Sequence, residues 1–268
     1  MKKFKQIFKT SHPVIGMIHV RALPGTPKNS LDINQIIDIA LEEAKIYKNA
    51  GIDSIMLENM HDIPYLKNEV GHEISTAMAL VCHAVKQEVN LPIGIQILAG
   101  ANKAALAVAK NAGLEYIRAE GFVFGHVADE GYIDSQAAEL IRYRKQIGAE
   151  HIAIFTDIKK KHSSHALTAD VSIADTAHAA GFFLSDGVIV TGSRTGSSTN
   201  LQDIEEVKSG TQLPVIIGSG VTYDNLDTYF NISNALIVGS YFKKEGNWNN
   251  ELDEKRILDF MKKVKLLR

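Results

Sequence analysis

Short runs of apolar residues alternate with helical patterns along the whole chain, and this alternation restricts the possible folds more than any other feature. Eight runs are typical of buried parallel strands: Val14–Val20, Ser54–Glu58, Pro92–Leu98, Tyr116–Glu120, Ile152–Asp157, Gly187–Thr191, Pro214–Gly218 and Ala235–Gly239. Several helical patterns end at a glycine just before the next run, as at Gly51, Gly113, Gly148 and Gly181. Because glycine commonly ends helices, this regular alternation predicts a parallel sheet covered by helices.

Eight strand–helix units favour an α/β fold of the closed (β/α)8 TIM-barrel type over an open sheet. The length of 268 residues is close to the roughly 250 residues typical of this barrel, so one domain over residues 1–268 is expected. The predicted helices are Asp32–Ala50, Glu73–Val89, Asn102–Asn111, Ser135–Ile147, Ser172–Ala180, Asp203–Lys208, Asp224–Phe230 and Glu251–Leu267. A Rossmann-like fold is the alternative, but no Gly-x-Gly-x-x-Gly motif follows the first strand.

Two consecutive strands near the end of the chain stop at a Gly-Ser pair. Gly218-Ser219-Gly220 follows the seventh run, and Gly239-Ser240 follows the eighth. Loops of this kind expose backbone N–H groups that bind anions, and many TIM barrels bind phosphate after their last two strands. The two loops therefore predict a phosphate site, although the glycines could also serve only to turn the chain.

Polar side chains stand near the carboxyl ends of the strands, where TIM barrels carry their active sites. In chain order they are His19, Glu58, Gln96, Arg118, Glu120 and Asp157. We interpret His19, Glu58, Glu120 and Asp157 as candidate acid–base groups. Arg118 projects to the same side of its strand as Glu120; inside a barrel it would need one of the three carboxylates as a partner. A satisfied salt-bridge network at the barrel mouth would give the same pattern.

Further residues on the loops after the strands are candidates for substrate or phosphate contact. Together with Arg118 they are Asn59, Lys161, His162, Thr191, Gly192 and Ser193. Lys161 and His162 belong to a cationic loop that could hold an anionic group, and a solvated surface run would look the same. Thr191, Gly192 and Ser193 open a Gly- and hydroxyl-rich stretch without the lysine of a P-loop. That stretch could bind phosphate oxygens or act only as a flexible lid.

Composition restricts the partners of the protein. A net charge of −2 implies no general attraction to nucleic acid or to anionic membranes, and no apolar run is long enough to span a bilayer. The single cysteine, Cys82, fits a reducing, cytoplasmic setting.

No cofactor is predicted. A divalent metal held by His19, Glu58 and Asp157 is a weaker hypothesis because typical metal-ligand spacings are absent, and a homo-oligomer is left open.

The chain from residue 14 to about residue 243 resembles the BtpA/SgcQ family. The matching stretches include Gly16-Met-Ile-His-Val-Arg-Ala-Leu-Pro-Gly-Thr-Pro, Glu58-Asn-Met-His-Asp-Ile-Pro-Tyr and Asp157-Ile-Lys-Lys-Lys-His-Ser-Ser-His-Ala-Leu. The Met-Ile-His…Leu-Pro-Gly and Lys-His-Ser segments within them are distinctive. The resemblance implies a TIM barrel of the ribulose-phosphate-binding type. One position departs from the family pattern, because Arg118-Ala-Glu120 stands where we expect Arg-Val-Asn. A carboxylate thus replaces a neutral amide, so the substrate or the protonation role could differ here.

Two functions fit these observations. The first is an enzyme that acts by acid–base chemistry on a small phosphorylated substrate, either a sugar phosphate or a nucleotide-like molecule. Isomerisation, aldol cleavage and glycosidic hydrolysis all suit such groups, whereas a Schiff-base aldolase is disfavoured because none of the eight strand runs contains lysine. The second, which the family name suggests, is a non-catalytic assembly or biogenesis factor that retains a phosphate-binding barrel.

Overall fold

The eight predicted strands form one closed parallel barrel in a computed structural model of the chain, which describes residues 1–160, 162–192 and 199–268. The barrel strands are β1 (Val14–His19), β2 (Ser54–Glu58), β3 (Ile93–Gln96), β4 (Tyr116–Ala119), β5 (Ala153–Asp157), β6 (Gly187–Val190), β7 (Val215–Ile217) and β8 (Ala235–Val238). Consecutive strands are neighbours throughout, and β8 closes the ring by pairing with β1. The predicted (β/α)8 TIM barrel is therefore confirmed.

Helices cover the outside of the barrel, as the sequence periodicity predicts, except for the first, which lies across one end of it. They are α1 (Lys2–Ile7), α2 (Ile33–Ala50), α3 (His72–Glu88), α4 (Asn102–Ala112), α5 (Ala137–Gln146), α6 (Ile173–Phe182), α7 (Leu201–Gly210), α8 (Leu226–Ile232) and α9 (Glu254–Leu267). The local sequence fixes the ends of α2. Asp32 and Gln35 form a capping box at its start, and Gly51 ends it with a φ of +80°. No helix in the described ranges has both the length and the apolar character needed to cross a membrane.

Two features of the fold were missed by the sequence analysis. The first is α1, which precedes the first strand. The second is a small antiparallel sheet of three strands, His126–Ala128, Gly131–Ile133 and Ser163–Ser164. This sheet joins the long loops that follow β4 and β5. Its strands are too short to produce a periodic hydrophobic pattern, which is the main sequence signal for secondary structure.

The inside of the barrel is a packed apolar core that α1 closes at the end opposite the strand tips. Phe8 follows α1 and lies with its ring centroid 5.6 Å from that of Tyr116 and 6.2 Å from that of Phe155. The Tyr116 ring passes so close to β3 that a Cβ atom on Gly94 would lie 2.1 Å from it. Gly94 is therefore required by packing, and the polar residues are left to the other end of the barrel.

We predict that α1 contributes to barrel stability and is not a loose extension. Phe8→Ala should lower the free energy of unfolding by about 3 kcal/mol, because it removes a buried ring from a filled core. Lys9→Ala, at an exposed neighbouring position, is the control and should change stability by no more than about 0.5 kcal/mol. Urea unfolding of both variants would measure the difference. Equal stabilities of the two variants would show that α1 does not close the core.

Candidate active site

A cavity of about 510 Å³ lies at the carboxyl ends of the barrel strands. It brings together both glycine loops and most of the strand-end polar residues that the sequence singled out, but Gln96 and Asp157 are not among the residues that line it. The predicted site residues that line it are His19, Glu58, Arg118, Glu120, His162, Gly218, Ser219, Gly220, Gly239 and Ser240. Closure of the barrel produces this convergence, because residues distant in sequence meet where their strands end.

Strand register aligns three of the polar residues in one row. His19 on β1 is paired with Glu58 on β2, and Glu58 is paired with Gln96 on β3. All three are buried, with exposed fractions of 7%, 7% and 1%. Two residues earlier, β1 and β2 carry Met17 and Met56, which belong to the apolar interior. The alternation of side chains along each strand therefore makes this row the polar layer just above the apolar core.

Arg118 and Asp157 form a buried ion pair across β4 and β5. Arg118 Nε lies 2.7 Å from Asp157 Oδ2, and Arg118 Nη2 lies 2.8 Å from Asp157 Oδ1. Burial alone would lower the pKa of the guanidinium, but the negative charge of Asp157, with smaller contributions from Glu58 and Glu120, raises that pKa above its ordinary value. Of the three carboxylates available to Arg118, Asp157 is the one in direct contact.

Glu120 lies next to this pair and is held by Lys160. Burial raises the pKa of the Glu120 carboxyl above its ordinary value, and the positive charge of Lys160 only partly opposes this effect. Lys160 Nζ lies 3.1 Å from Glu120 Oε2 and 3.9 Å from Glu130 Oε2. Burial would lower the pKa of Lys160, but attraction to the two glutamates raises it. Glu120 is thus a carboxyl group that retains its proton to a higher pH than usual.

Lys160 was missed by the sequence analysis, which selected Lys161 from the same run of three lysines. Lys160 lines the cavity, and only 12% of its side chain is exposed, whereas Lys161 lies outside the described residues. Composition cannot tell that Lys160 turns inward. This depends on the local backbone, in which Lys159 and His162 both have positive φ angles, of +48° and +56°.

His19 is oriented by the loop that follows β8. Its Nδ1 lies 3.0 Å from the backbone oxygen of Trp248. A carbonyl oxygen can only accept a hydrogen bond, so Nδ1 carries a proton, and Nε2 of the neutral ring is the basic nitrogen. A Cβ atom on Gly239 would lie 3.3 Å from this Nε2. The basic edge of His19 therefore lies beside the second glycine loop.

The two glycine loops face the same cavity but leave their strands differently. After β7, the Asn225 side chain accepts from the Thr222 N–H at 2.7 Å and donates to the Gly220 oxygen at 2.8 Å. This turn delays α8, which begins at Leu226 and not directly after the glycines. After β8, a short 3₁₀ helix begins at Ser240. The predicted start of this helix at Asp224 is therefore two residues too early, because Asn225 holds the loop instead.

Other predicted contact residues lie away from the cavity or outside the described residues. Asn59 donates to Asp62 at 2.8 Å and accepts from the Leu98 N–H at 2.7 Å, so it ties together the loops after β2 and β3. Thr191 and Gly192 are buried after the end of β6, and neither is among the residues that line the cavity. The prediction for Ser193 falls outside the residues that the structure describes.

Gln96 is the least satisfied polar residue of the row. It is 1% exposed, and within the described residues neither its amide nitrogen nor its amide oxygen has a hydrogen-bond partner. Sequence reasoning placed Gln96 on the third strand without a role. A buried amide without partners is costly, and such groups occur preferentially where a protein binds something.

Metal binding receives no geometric support from the described part of the chain. Within it, no group of three or more His, Cys, Asp or Glu side chains is arranged to hold a metal ion. Of the three suggested ligands His19, Glu58 and Asp157, the last uses both carboxylate oxygens to bind Arg118.

Comparison with known sequences finds relatives over almost the whole chain. A model of the BtpA family matches residues 10–266. An uncharacterized mitochondrial protein of Caenorhabditis elegans is 48% identical over 98% of this chain and 97% of its own length. The Photosystem I biogenesis protein BtpA of Synechocystis sp. is 34% identical, and the match covers 96% of this chain and 89% of that protein.

Solved structures with the same fold are much more distant in sequence. The phosphoribosyl anthranilate isomerase of Thermus thermophilus superposes with a TM-score of 0.60 at 11% identity, over 96% of this chain and 100% of that one. A Rubisco-like protein of Rhodopseudomonas palustris gives a TM-score of 0.61 at 9% identity, over 97% of this chain and 66% of that one. At such low identities the similarity establishes the barrel fold alone.

We predict opposite effects of removing the two buried amides. Gln96→Met should leave the free energy of unfolding unchanged or raise it by about 1 kcal/mol, because an unsatisfied polar group is replaced by an apolar one of similar size. Asn59→Leu, the matched comparison, should lower it by about 2 kcal/mol, since the Leu98 N–H and Asp62 lose their partner. Chemical denaturation would measure both. If Gln96→Met is as destabilising as Asn59→Leu, the Gln96 amide is already satisfied in the free protein.

Proposed function

Because the chain belongs to the BtpA family and its barrel gathers ionisable groups beside two glycine loops, we propose that it is an enzyme acting by acid–base chemistry on a small phosphorylated substrate. The observation that carries this proposal is that one cavity has both Gly218–Gly220 and Gly239–Ser240 in its wall, as well as Glu58 and Glu120. A ligand anchored at the loops would therefore have its remaining atoms within reach of these carboxyl groups.

The phosphate would be bound by the backbone N–H groups of the two loops. Glycine leaves these N–H groups accessible, and several of them pointing at one place bind a dianion without a positively charged side chain. Gly218 is also required by packing, because a Cβ atom there would lie 2.5 Å from Ile189 Cγ2. A barrel of this shape acts on a phosphorylated sugar compound in at least one fold neighbour, which is by name a phosphoribosyl anthranilate isomerase.

Glu120 is suited to act as the general acid and Glu58 as the general base. The raised pKa of Glu120 keeps it able to donate a proton closer to neutral pH than an ordinary glutamate could. His19 is a second candidate base through Nε2. Asp157 acts mainly by fixing Arg118, whose permanent positive charge would stabilise negative charge that develops on a substrate oxygen. Isomerisation, aldol cleavage and glycosidic hydrolysis all need this combination of groups.

A non-catalytic assembly role is the alternative, and the name of the Synechocystis relative favours it. An assembly factor that retains the barrel could bind the same phosphorylated ligand but would not convert it. Glu58→Gln separates the two roles, because it should abolish turnover of an identified substrate while leaving its binding nearly unchanged.

We further propose that residues 1–268 act as one domain in a reducing compartment, in keeping with the single buried cysteine, Cys82.

We predict that Gly239→Ala abolishes phosphate binding without unfolding the protein. The backbone φ at Gly239 is −111°, outside the left-handed region that favours glycine, and its ψ is −86°. The added methyl would stand in the cavity wall 3.3 Å from His19 Nε2. Inorganic phosphate at 100 times its dissociation constant should stabilise the wild type by about 2.7 kcal/mol and the variant much less. Thermal shift titration would measure this difference.

Gly181→Ala is the matched control for that experiment. The added methyl would meet only ordinary contacts, 3.7 Å from Leu213 and Thr211, at a position on α6 that does not line the cavity. Phosphate should stabilise the Gly181→Ala variant as much as it stabilises the wild type. A wild-type protein that phosphate does not stabilise, or a Gly239→Ala variant that responds like Gly181→Ala, would contradict the phosphate site.

We predict a pH-dependent stability difference between the wild type and Glu120→Gln. The folded-state pKa of Glu120 is raised above the ordinary value of 4.5. The favourable contribution of its protonated form is therefore fully present below the unfolded-state pKa and is lost as the pH rises through the folded-state pKa. As the pH rises through this range, the free energy of unfolding of the wild type should fall relative to that of Glu120→Gln. The attraction to Lys160 acts only on the ionised form of Glu120 and is already part of its folded-state pKa, so other effects of the substitution add only a pH-independent offset.

Urea unfolding at a series of pH values from about 4 to 7 measures this difference. Glu205→Gln, at an exposed position on α7, controls for general effects of removing a carboxylate. A difference between wild type and Glu120→Gln that stays constant with pH would show that Glu120 ionises like an ordinary glutamate, and its assignment as the acid would then be wrong.

A further inference from the structure

The cavity wall is divided into three sectors according to the strands that supply its residues. The loops after β7 and β8 supply the glycines, and the loops after β4 and β5 supply charged residues. The loops after β2 and β3 supply an apolar wall, which we define as Met60, Ile63, Pro64, Tyr65 and Leu98. In the closed ring, β3 is the fourth strand from β7 in either direction. Leu98, which follows β3, is therefore on the far side of the barrel from the first glycine loop, whereas the other four wall residues follow β2, three strands from β7.

The apolar wall offers a ligand hydrocarbon and aromatic surface. The Tyr65 hydroxyl donates to the Met60 backbone oxygen at 2.7 Å, so this polar atom is occupied and the ring is held in place. Leu98 is 7% exposed, and its N–H is taken by Asn59. Methionine and tyrosine side chains are well suited to contact flat groups. A sugar hydroxyl placed against this wall would lose hydration without gaining a partner.

The charged sector offers mainly hydrogen-bond acceptors. Glu120, Asp129 and Glu130 line it, together with the imidazole of His162 and, among the described residues, two cations that carboxylates already hold. Arg118 is paired with Asp157, and Lys160 is shared between Glu120 and Glu130. Hydroxyl and N–H groups of a ligand match such a surface, whereas a second phosphate would be repelled. The ligand therefore carries one anionic end, at the glycine loops, and a hydrogen-bond-donating middle part.

We propose that the substrate is a phosphorylated sugar that carries a flat apolar ring, as a nucleoside monophosphate does, and not a simple sugar phosphate. This inference rests on the proposed function, since it assumes that the phosphate occupies the glycine loops. The phosphate, the sugar hydroxyls and the ring then match the glycine loops, the charged sector and the apolar wall in turn. The cavity volume of about 510 Å³ falls within the range of about 300–1,000 Å³ typical of sites for ligands larger than a single sugar ring.

Binding of three probes tests the inference. Isothermal titration of the full chain with AMP, UMP and ribose 5-phosphate should give dissociation constants about tenfold or more lower for at least one nucleotide than for the sugar phosphate, because contact with an apolar pocket adds at least this factor. Met60→Gln, which keeps the side-chain size but adds an amide, should weaken that nucleotide about tenfold and leave ribose 5-phosphate unchanged.

Two control variants make the result specific. Leu66→Gln changes a 55% exposed residue next to Tyr65 that is not among the cavity-lining residues, and it should affect neither probe. Tyr65→Phe keeps the ring and should bind the nucleotide like the wild type, whereas Tyr65→Ser removes the ring and should bind it as weakly as Met60→Gln does.

The possible failures are distinguishable. If ribose 5-phosphate binds as tightly as both nucleotides, and Gly239→Ala removes that binding, the proposed function stands and the flat-ring inference is overturned. The inference is overturned equally if Met60→Gln weakens the nucleotide and ribose 5-phosphate by the same factor. If none of the three probes binds, both the inference and the proposed function are contradicted.

Discussion

The buried ion pair between Arg118 and Asp157 is the interaction on which the rest of the site depends. A guanidinium inside a barrel is costly unless its charge and its hydrogen-bond donors are matched. Asp157 provides the opposite charge and the hydrogen-bond acceptors, with two contacts of 2.7 and 2.8 Å across neighbouring strands. Removal of Asp157 would leave a buried, uncompensated charge, which typically costs about 3–5 kcal/mol. Because the two residues come from neighbouring strands, the pair forms when the barrel closes correctly, and the charged groups are then held in position.

The same pair determines how the neighbouring carboxyl groups behave. Because Arg118 is already matched by Asp157, its charge does little to stabilise a negative Glu120, and the pKa of Glu120 stays above its ordinary value despite the contact with Lys160. Glu58 is in register with His19 and comes from β2. Carboxyl groups in two different environments are what acid–base catalysis requires. The glycine loops complete this arrangement because they can hold an anion with backbone groups and so leave the charged side chains to the reacting part of the ligand.

The sequence predicted the barrel and the position of both glycine loops because these features have local signals, namely hydrophobic runs, helix periodicity and glycine after a strand. It did not predict features that depend on tertiary contacts. The helix α1 forms part of the fold because its aromatic residues fill the end of the barrel, which no pattern within residues 1–9 reveals. Lys160 turns inward because of the local backbone, which composition does not reveal. Asn59 resembles a ligand-binding amide in sequence, yet its amide is occupied by Asp62 and Leu98.

A crystal structure of the protein soaked in inorganic phosphate would test the central claim most directly. The account predicts one phosphate ion between the two glycine loops, with its oxygens about 2.7–3.2 Å from backbone N–H groups of both the Gly218–Gly220 and the Gly239–Ser240 segments. Binding of phosphate only elsewhere on the molecule, or rotation of these N–H groups away from the cavity, would contradict the account.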